Sequence, residues 1–208
     1  MIEEKAAVYV VDDDPSVRKA LERLLRSADY DARTFASAPE FLDFTCPDTP
    51  GCLILDIKMP GLSGLELQER LSEKGIFLPI IFITGHGTVP ASVRAFKAGA
   101  MDFLQKPFKD RELLDAVSRG IGKHRRLRRE QNEMKALRTK LDTLTPRQRE
   151  VFSLVVSGLL NKQVAFDLGI AEKTVKVHRA RVMQKMGAQS LADLVRFAQK
   201  LGIRSSAA

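Results

Sequence analysis

Val8-Tyr9-Val10-Val11-Asp12-Asp13-Asp14-Pro15 decides how this chain is read. An uninterrupted apolar run suits a strand covered on both faces, and the acidic residues with proline end it. Val17, Ala20, Leu21, Leu24 and Leu25 then recur at helical spacing, so the segment reads as strand, acidic loop, helix. Working outward, the pattern repeats. Cys52-Leu53-Ile54-Leu55 stops at Asp56, Ile80-Ile81-Phe82-Ile83 stops at Thr84-Gly85, and Met101-Asp102-Phe103-Leu104 stops just before Lys106-Pro107. A weaker strand over 32–35 precedes a helix near 39–44. Five strands with helices between them predict a doubly wound, five-stranded parallel sheet, an α/β fold.

In such a sheet every strand delivers its carboxyl end to one edge, where ligand chemistry is expected. Asp12, Asp13, Asp56, Thr84 and Lys106 are thereby drawn together from nearly a hundred positions of sequence. Carboxylates crowded within a few ångströms raise one another's pKa unless a cation sits among them. Mg²⁺ suits the role, because it takes oxygen ligands and keeps waters. A lysine ammonium and a threonine hydroxyl can each contact phosphoryl oxygens, and phosphoryl transfer depends on such positioning and charge neutralisation. Asp56, central and at a strand end, is the candidate nucleophile. The bland alternative is that each acid merely caps a loop.

With 208 residues, 44% hydrophobic and 29% charged, the chain has material for one or two folded domains and is neither disordered nor membrane-embedded. No run approaches the roughly 18 apolar residues of a membrane span. Met1-Ile2-Glu3-Glu4-Lys5 carries acids where a secretory signal carries a basic stretch, so a cytoplasmic protein with no membrane partner is expected. Cys46 and Cys52 lack histidines at metal spacing and read as free thiols. The net charge of +8 is unevenly placed: residues 1–121 hold 15 Lys/Arg against 19 Asp/Glu, a net of −4, and residues 122–208 hold 19 against 7, a net of +12. A basic half joined to a mildly acidic one predicts a polyanion-binding module fused to a unit with other chemistry.

Between the halves no proline interrupts residues 110–141, and Leu113, Leu114, Val117, Ile121, Leu127, Met134, Leu137 and Leu141 keep roughly helical spacing. An extended helical linker over 122–143 follows, with Gly120 and Gly122 as breaks. Its basic run, Lys123-His124-Arg125-Arg126-Leu127-Arg128-Arg129, reads as a solvated face or as a contact to DNA phosphates. Coiled-coil pairing along Met134, Leu137, Leu141 and Leu144 falls short of the three or four heptads required.

The last segment, 144–208, reads as four short helices. Thr145 caps a helix with Pro146 in its first turn, and Gly158 ends it. Asn161 is expected to cap a helix over 162–168, Gly169 makes the turn, and residues 171–185 form the next helix, a helix-turn-helix spacing. That helix presents Lys173, Thr174, Lys176, His178, Arg179, Arg181 and Lys185 on a polar face, while Val175, Val182 and Met186 are spaced for burial. Such a face suits a DNA major groove.

Val-Val-Asp12-Asp13-Asp14, Leu-Ile-Leu-Asp56-Ile-Lys-Met-Pro60-Gly61, Ile-Thr84-Gly-His86-Gly and Gly99-Ala-Met-Asp-Phe103-Leu-Gln-Lys106-Pro107-Phe108 together resemble the receiver domain of two-component response regulators, whose fold is flavodoxin-like. Leu144-Thr145-Pro146-Arg147-Gln148-Arg149-Glu150-Val151 and Glu172-Lys173-Thr174-Val175-Lys176-Val177-His178-Arg179 resemble the LuxR-type helix-turn-helix, an all-α module. The combination resembles the NarL/FixJ architecture, and the receiver loops the FixJ branch, which includes regulators of aromatic catabolism such as styrene degradation.

The resemblance implies that Asp56 accepts phosphate from a sensor histidine kinase. It implies that Asp12, Asp13, Asp56 and the backbone carbonyl of Lys58 serve Mg²⁺, and that Lys106 holds a phosphoryl oxygen. It implies also that Thr84 and Phe103 form the switch and that the bond before Pro107 is cis. Phe103 stands where many receivers have tyrosine, and without a hydroxyl it has less reason to prefer solvent. In the second module the resemblance implies base contacts from Lys176 and Val177, phosphate contacts from Lys173, Thr174, His178 and Arg181, and pairing through a last helix over 191–201. Ala180 stands where some relatives place a base-reading lysine, so the operator does not transfer. The partners implied are double-stranded promoter DNA, RNA polymerase and a second copy of the chain on phosphorylation. Enzymatic activity is expected only as phosphoryl transfer to itself and slow autodephosphorylation.

His86 could act on an attacking water, or could belong to a turn leading to Thr88 as a helix cap. Two rival readings remain. One is a phosphorylation-independent DNA-binding regulator whose receiver only dimerises. The other is a phosphohydrolase of the haloacid dehalogenase type built on Asp12-Asp13-Asp14.

Overall fold

β1 (Ala7–Val11) is paired on both sides, with β2 (Asp31–Phe35) along one edge and β3 (Gly51–Asp56) along the other. β4 (Ile80–Thr84) and β5 (Asp102–Gln105) complete a five-stranded sheet in the order β2-β1-β3-β4-β5, with every pair parallel. This computed structural model describes residues 5–85 and 89–203 and divides the chain into two units, Met1–Arg128 and Arg129–Ala208. His86 and Thr88 lie outside the described residues.

Alternation along β1 builds the core of the first unit. Val8 and Val10 face one layer with Leu21, Leu25, Leu113 and Val117, whereas Tyr9 and Val11 face the other with Phe35, Phe41, Leu67 and Phe82. Because both faces are buried, β1, β3 and β4 show no polar alternation before their last residues. Each fully buried Leu, Ile, Val or Phe contributes about 1.5–3 kcal/mol. The helices supplying these layers are α1 (Pro15–Ser27), α2 (Ala38–Asp43), α3 (Gly64–Glu73), α4 (Val89–Lys97) and the first part of α5 (Asp110–Asp142).

Local chemistry sets the helix starts. Asp14 Oδ1 accepts the Ser16 N–H at 2.7 Å and Pro15 opens α1, while Ser63 and Glu66 form a capping box on α3. Several boundaries differ from expectation by one residue, those of α2 and β5 among them. α2 begins at Ala38 because Ser37 caps it, and β5 begins at Asp102 because the Met101 N–H reaches back to the Ile80 carbonyl at 2.8 Å. Gly120 and Gly122 do not break α5, which continues through both. A Cβ on Gly120 would stand 3.2 Å from Cys52 Cβ, so this glycine lets α5 approach β3 closely. Cys46 and Cys52 are free thiols, and burial pushes the Cys52 thiol up to about 12.

The second unit contains the remainder of α5 with α6 (Pro146–Val156), α7 (Asn161–Leu168), α8 (Glu172–Met186) and α9 (Leu191–Lys200). Thr145 caps α6 with Pro146 in its first turn, as expected. Val151, Phe152, Val164, Val175, Val182, Met186 and Leu194 form its core. Gly169 takes φ 63° between α7 and α8, a left-handed turn that suits glycine. The cap of α7 is Leu160 and not Asn161, because the Gln163 side chain accepts the Leu160 N–H at 2.8 Å and satisfies the helix entry from within. Among the described residues no helix is long and apolar enough to cross a membrane.

Candidate functional site

The carboxyl edge of the sheet assembles three charged groups. Asp12 follows β1 and Asp56 ends β3, and their carboxylates are 1% and 7% exposed. Lys106 follows β5. Its Nζ donates to Asp12 Oδ2 at 2.7 Å and to Asp56 Oδ1 at 2.8 Å, bridging residues brought from three strands. The remaining oxygens are also engaged: Asp12 Oδ1 accepts the Asp14 N–H at 2.9 Å, and Asp56 Oδ2 accepts the Lys58 N–H at 2.7 Å. Thr84, the last residue of β4, is buried, and its backbone carbonyl accepts the Lys106 N–H at 2.8 Å. The Lys106–Pro107 bond is cis.

Electrostatics here balance burial against pairing. Burial raises the Asp56 carboxyl above the usual carboxylate range; Lys106 opposes the shift and the neighbouring Asp12 charge adds to it. Burial draws the Lys106 ammonium down, but hydrogen bonds and charge from Asp12 and Asp56 outweigh it and hold it above the ordinary lysine value. Lysine therefore stays charged between two carboxylates. This is the local neutralisation that the crowded acids require.

Asp13 does not join them. It is exposed, and among the described residues no three His, Cys, Asp or Glu side chains gather closely enough to form a ready-made metal cluster. Asp14 is diverted to capping α1. Phe103, opposite Phe82 in the β4–β5 register, is half-buried against the layer that Tyr9 and Val11 face.

Two participants carried no signal in the sequence reading. Arg18, one turn into α1, donates from its guanidinium to the Asp12 backbone carbonyl at 2.7 Å. Gly64, at the start of α3, packs so closely under the site that a Cβ there would stand 2.2 Å from the Asp56 carbonyl oxygen. Neither requirement appears in hydrophobic periodicity, because both partners are backbone atoms.

In the second unit, α8 presents Lys173, Thr174, Lys176, Val177 and Arg181 to solvent, with Val175, Val182 and Met186 buried beneath. Val177, although apolar, is 46% exposed. Lys176 pairs with Glu172 at 3.2 Å one turn earlier. His178 is half-buried, and its Nδ1 is buried with no partner among the described residues. Two basic residues of the predicted polar face are engaged within their own unit: half-buried Arg179 donates to Asn161 Oδ1 at 3.0 Å, and exposed Lys185 donates to the Thr143 carbonyl at 2.6 Å and Gln148 Oε1 at 2.9 Å.

Known proteins share this organisation. Residues 8–118 match the response regulator receiver domain family, and residues 142–198 match the bacterial regulatory proteins of the luxR family. Nodulation protein W of Bradyrhizobium diazoefficiens is 51% identical over 202 residues, covering 97% of this chain and 89% of that protein. Transcriptional regulatory protein FixJ of Azorhizobium caulinodans is 42% identical over 200 residues, covering 96% of this chain and 95% of that protein. The low-resolution structure of the response regulator StyR matches with a TM-score of 0.87 at 48% identity, over 94% of this chain and 99% of that one. These relatives overturn the phosphohydrolase reading, and the capping role of Asp14 removes the second acid on which it depended. Two charged strand ends bridged by one lysine, a helix-turn-helix in a separate unit, and kinship along nearly the whole length lead to one assignment: the chain belongs to the two-component response regulators that join a receiver domain to a LuxR-type DNA-binding domain.

Proposed function

We propose that a sensor histidine kinase phosphorylates Asp56, and that the phosphorylated chain dimerises and binds double-stranded promoter DNA through α8 to regulate transcription. The observation that carries this reading is the Lys106 ammonium held between Asp12 and Asp56. In the transfer, the Asp56 carboxylate forms an O–P bond as the donor's N–P bond breaks, and the histidine imidazole departs with that electron pair. Lys106 moves from carboxylate to phosphoryl oxygen, a short displacement for a side chain that already touches both acids. An apolar groove of about 640 Å³ beside Lys106, lined by Val17, Leu21, Leu24, Pro107 and Phe108, gives a protein donor a surface next to the acceptor.

The donor set suits Mg²⁺. Asp12, Asp13, Asp56 and the Lys58 carbonyl would hold it, because the buried pair already needs a cation and now borrows an ammonium. When bound, Mg²⁺ supplies neutralisation of the phosphoryl oxygens and carboxylates. Slow autodephosphorylation follows from attack of water on the same phosphorus, with Asp56 as leaving group.

Thr84 and Phe103 form the switch. The Thr84 hydroxyl turns toward the phosphoryl group, and Phe103, already half-buried, follows inward. About two added charges stabilise the state that accommodates them. Moving that state from about 1% to 99% requires roughly 5.5 kcal/mol of differential stabilisation. Residues 1–121 act as receiver, 122–143 as linker and 144–208 as DNA reader. Lys176 and Val177 meet bases, while Lys173, Thr174, Arg181 and the Nε2 of His178 meet phosphates. Pairing through α9 aligns two readers on two half-sites, where effective concentration raises affinity. The setting is the cytoplasm, with RNA polymerase as the downstream partner.

DNA selected from a random pool by the phosphorylated chain tests the reading. Its affinity should fall at least about tenfold when phosphodonor or Mg²⁺ is withheld. Equal affinity in both states would instead establish the receiver as a phosphorylation-independent dimerisation module.

A further inference from the structure

Two residues of the basic run leave the solvated face. His124 and Arg128 lie one turn apart on α5, on the same side of the helix. The Gly51 N–H donates to His124 Nδ1 at 2.9 Å across 73 residues of sequence. Arg128 donates to Asp48 Oδ1 from Nε at 3.2 Å and from its terminal nitrogen at 2.7 Å, and also to the Asp48 backbone carbonyl. Its side chain is only 17% exposed. Both residues belong to the first unit, although the sequence places them in the linker.

The Gly51 N–H fixes the protonation state of the histidine. An imidazole can accept at Nδ1 only when neutral; once protonated, both ring nitrogens donate. Protonation would then set two N–H groups against each other and orphan the amide of a buried residue. Among the described residues the charged groups facing His124 are Arg128 on its own helix and Asp48 on the loop before β3. Burial, then Arg128, push its pKa below the ordinary histidine value against the opposing charge of Asp48, and a hydrogen bond that only the neutral ring can accept acts in the same direction as burial. Gly51 is the first residue of β3 and Asp56 the last.

We propose that His124 and Arg128 form a proton-operated latch: with His124 neutral, they bind the first turns of the linker helix to residues 48–51, at the start of the strand that carries Asp56, and protonation of His124 releases them. The linker helix is thereby anchored to the phosphoacceptor strand at neutral pH and loosened by acid. The latch involves no phosphoryl group and operates whether or not Asp56 is the phosphoacceptor.

The test is NMR of the full chain in the absence of phosphodonor, following the His124 ring nitrogens and the protection factor of the Gly51 amide from about pH 8 to about pH 5. His124 should titrate below the ordinary histidine value with Nδ1 unprotonated, and Gly51 protection should fall about tenfold or more with the same midpoint. His124→Asn supplies an Oδ1 acceptor that does not titrate, so its Gly51 protection should stay flat with pH. Protection in the wild type that is unchanged as His124 titrates would overturn the latch. So would a His124→Asn chain that loses protection in acid as the wild type does.

Discussion

Lys106 Nζ lies 2.8 Å from Asp56 Oδ1, although fifty positions of sequence separate the two residues. The same nitrogen reaches Asp12 Oδ2, so one ammonium neutralises two buried carboxylates. Removing it leaves like charges side by side in a site where water screens poorly. Lys106→Ala is therefore expected to destabilise the receiver by about 2 kcal/mol, below the usual cost of breaking a buried pair because Lys106 is a quarter exposed. Millimolar Mg²⁺ should then restore more stability to the variant than it adds to the wild type, because the metal takes over the missing neutralisation. Urea unfolding with Mg²⁺ and with a chelator checks this; equal Mg²⁺ increments in the two proteins would count against a metal at these carboxylates.

Gly64 packs directly beneath Asp56. With a Cβ placed 2.2 Å from the Asp56 carbonyl oxygen, Gly64→Ala must displace either α3 or the end of β3. The expected cost is about 1–3 kcal/mol from overpacking, together with slower phosphorylation by a small phosphodonor. By contrast Gly61→Ala, where a Cβ has open space but φ is 75°, should lose stability through backbone strain alone. Phosphorylation rates at matched folded fraction distinguish the two.

How much of this was legible beforehand depends on what kind of atom each residue answers to. Asp56, Thr84 and Lys106 end apolar runs, so strand periodicity alone assigns them to one edge, and the edge contains them. Asp13 is acidic in the same loop, but the helix cap at Asp14 leaves its side chain in solvent. Arg18, Gly64, His124 and Arg128 answer wholly or partly to backbone carbonyls and N–H groups, which no side-chain pattern encodes. The capping of α7 failed for a related reason: Asn161 is the better cap by residue type, yet Gln163 satisfies the Leu160 N–H from inside the helix.

The basic residues of α8 should separate experimentally into three groups. Lys173 and Arg181, exposed and assigned to phosphates, should each lower the slope of log affinity against log salt by about 0.9 when changed to alanine, with little change in sequence preference. Lys176→Ala should instead relax preference at one base position, by about 1–3 kcal/mol. Arg179→Ala should leave the salt slope unchanged and lower thermal stability, because its guanidinium is spent on Asn161. Salt titrations of DNA binding on the four variants, beside melting curves, provide the check.

His124 makes the stability of the receiver depend on pH in a calculable direction. Its pKa is lowered in the folded chain, so between that value and the ordinary 6.5 the unfolded state binds more protons and stability rises with pH. The contribution is whole above about pH 6.5 and is lost as pH falls through the folded value. Denaturant midpoints of the wild type should therefore drop more steeply than those of His124→Asn as pH is lowered below that point. Parallel curves for the two proteins would show that folding does not lower the pKa of this histidine.

Asp56 as the phosphoacceptor remains the centre of the account. The most direct measurement is the intact mass and oligomeric state of the wild type and of Asp56→Asn after incubation with Mg²⁺ and acetyl phosphate. The account predicts one added phosphoryl group and a shift toward dimer in the wild type, with neither in the variant. A wild type that gains no phosphoryl group, or an Asp56→Asn chain that gains one and dimerises equally, would contradict it.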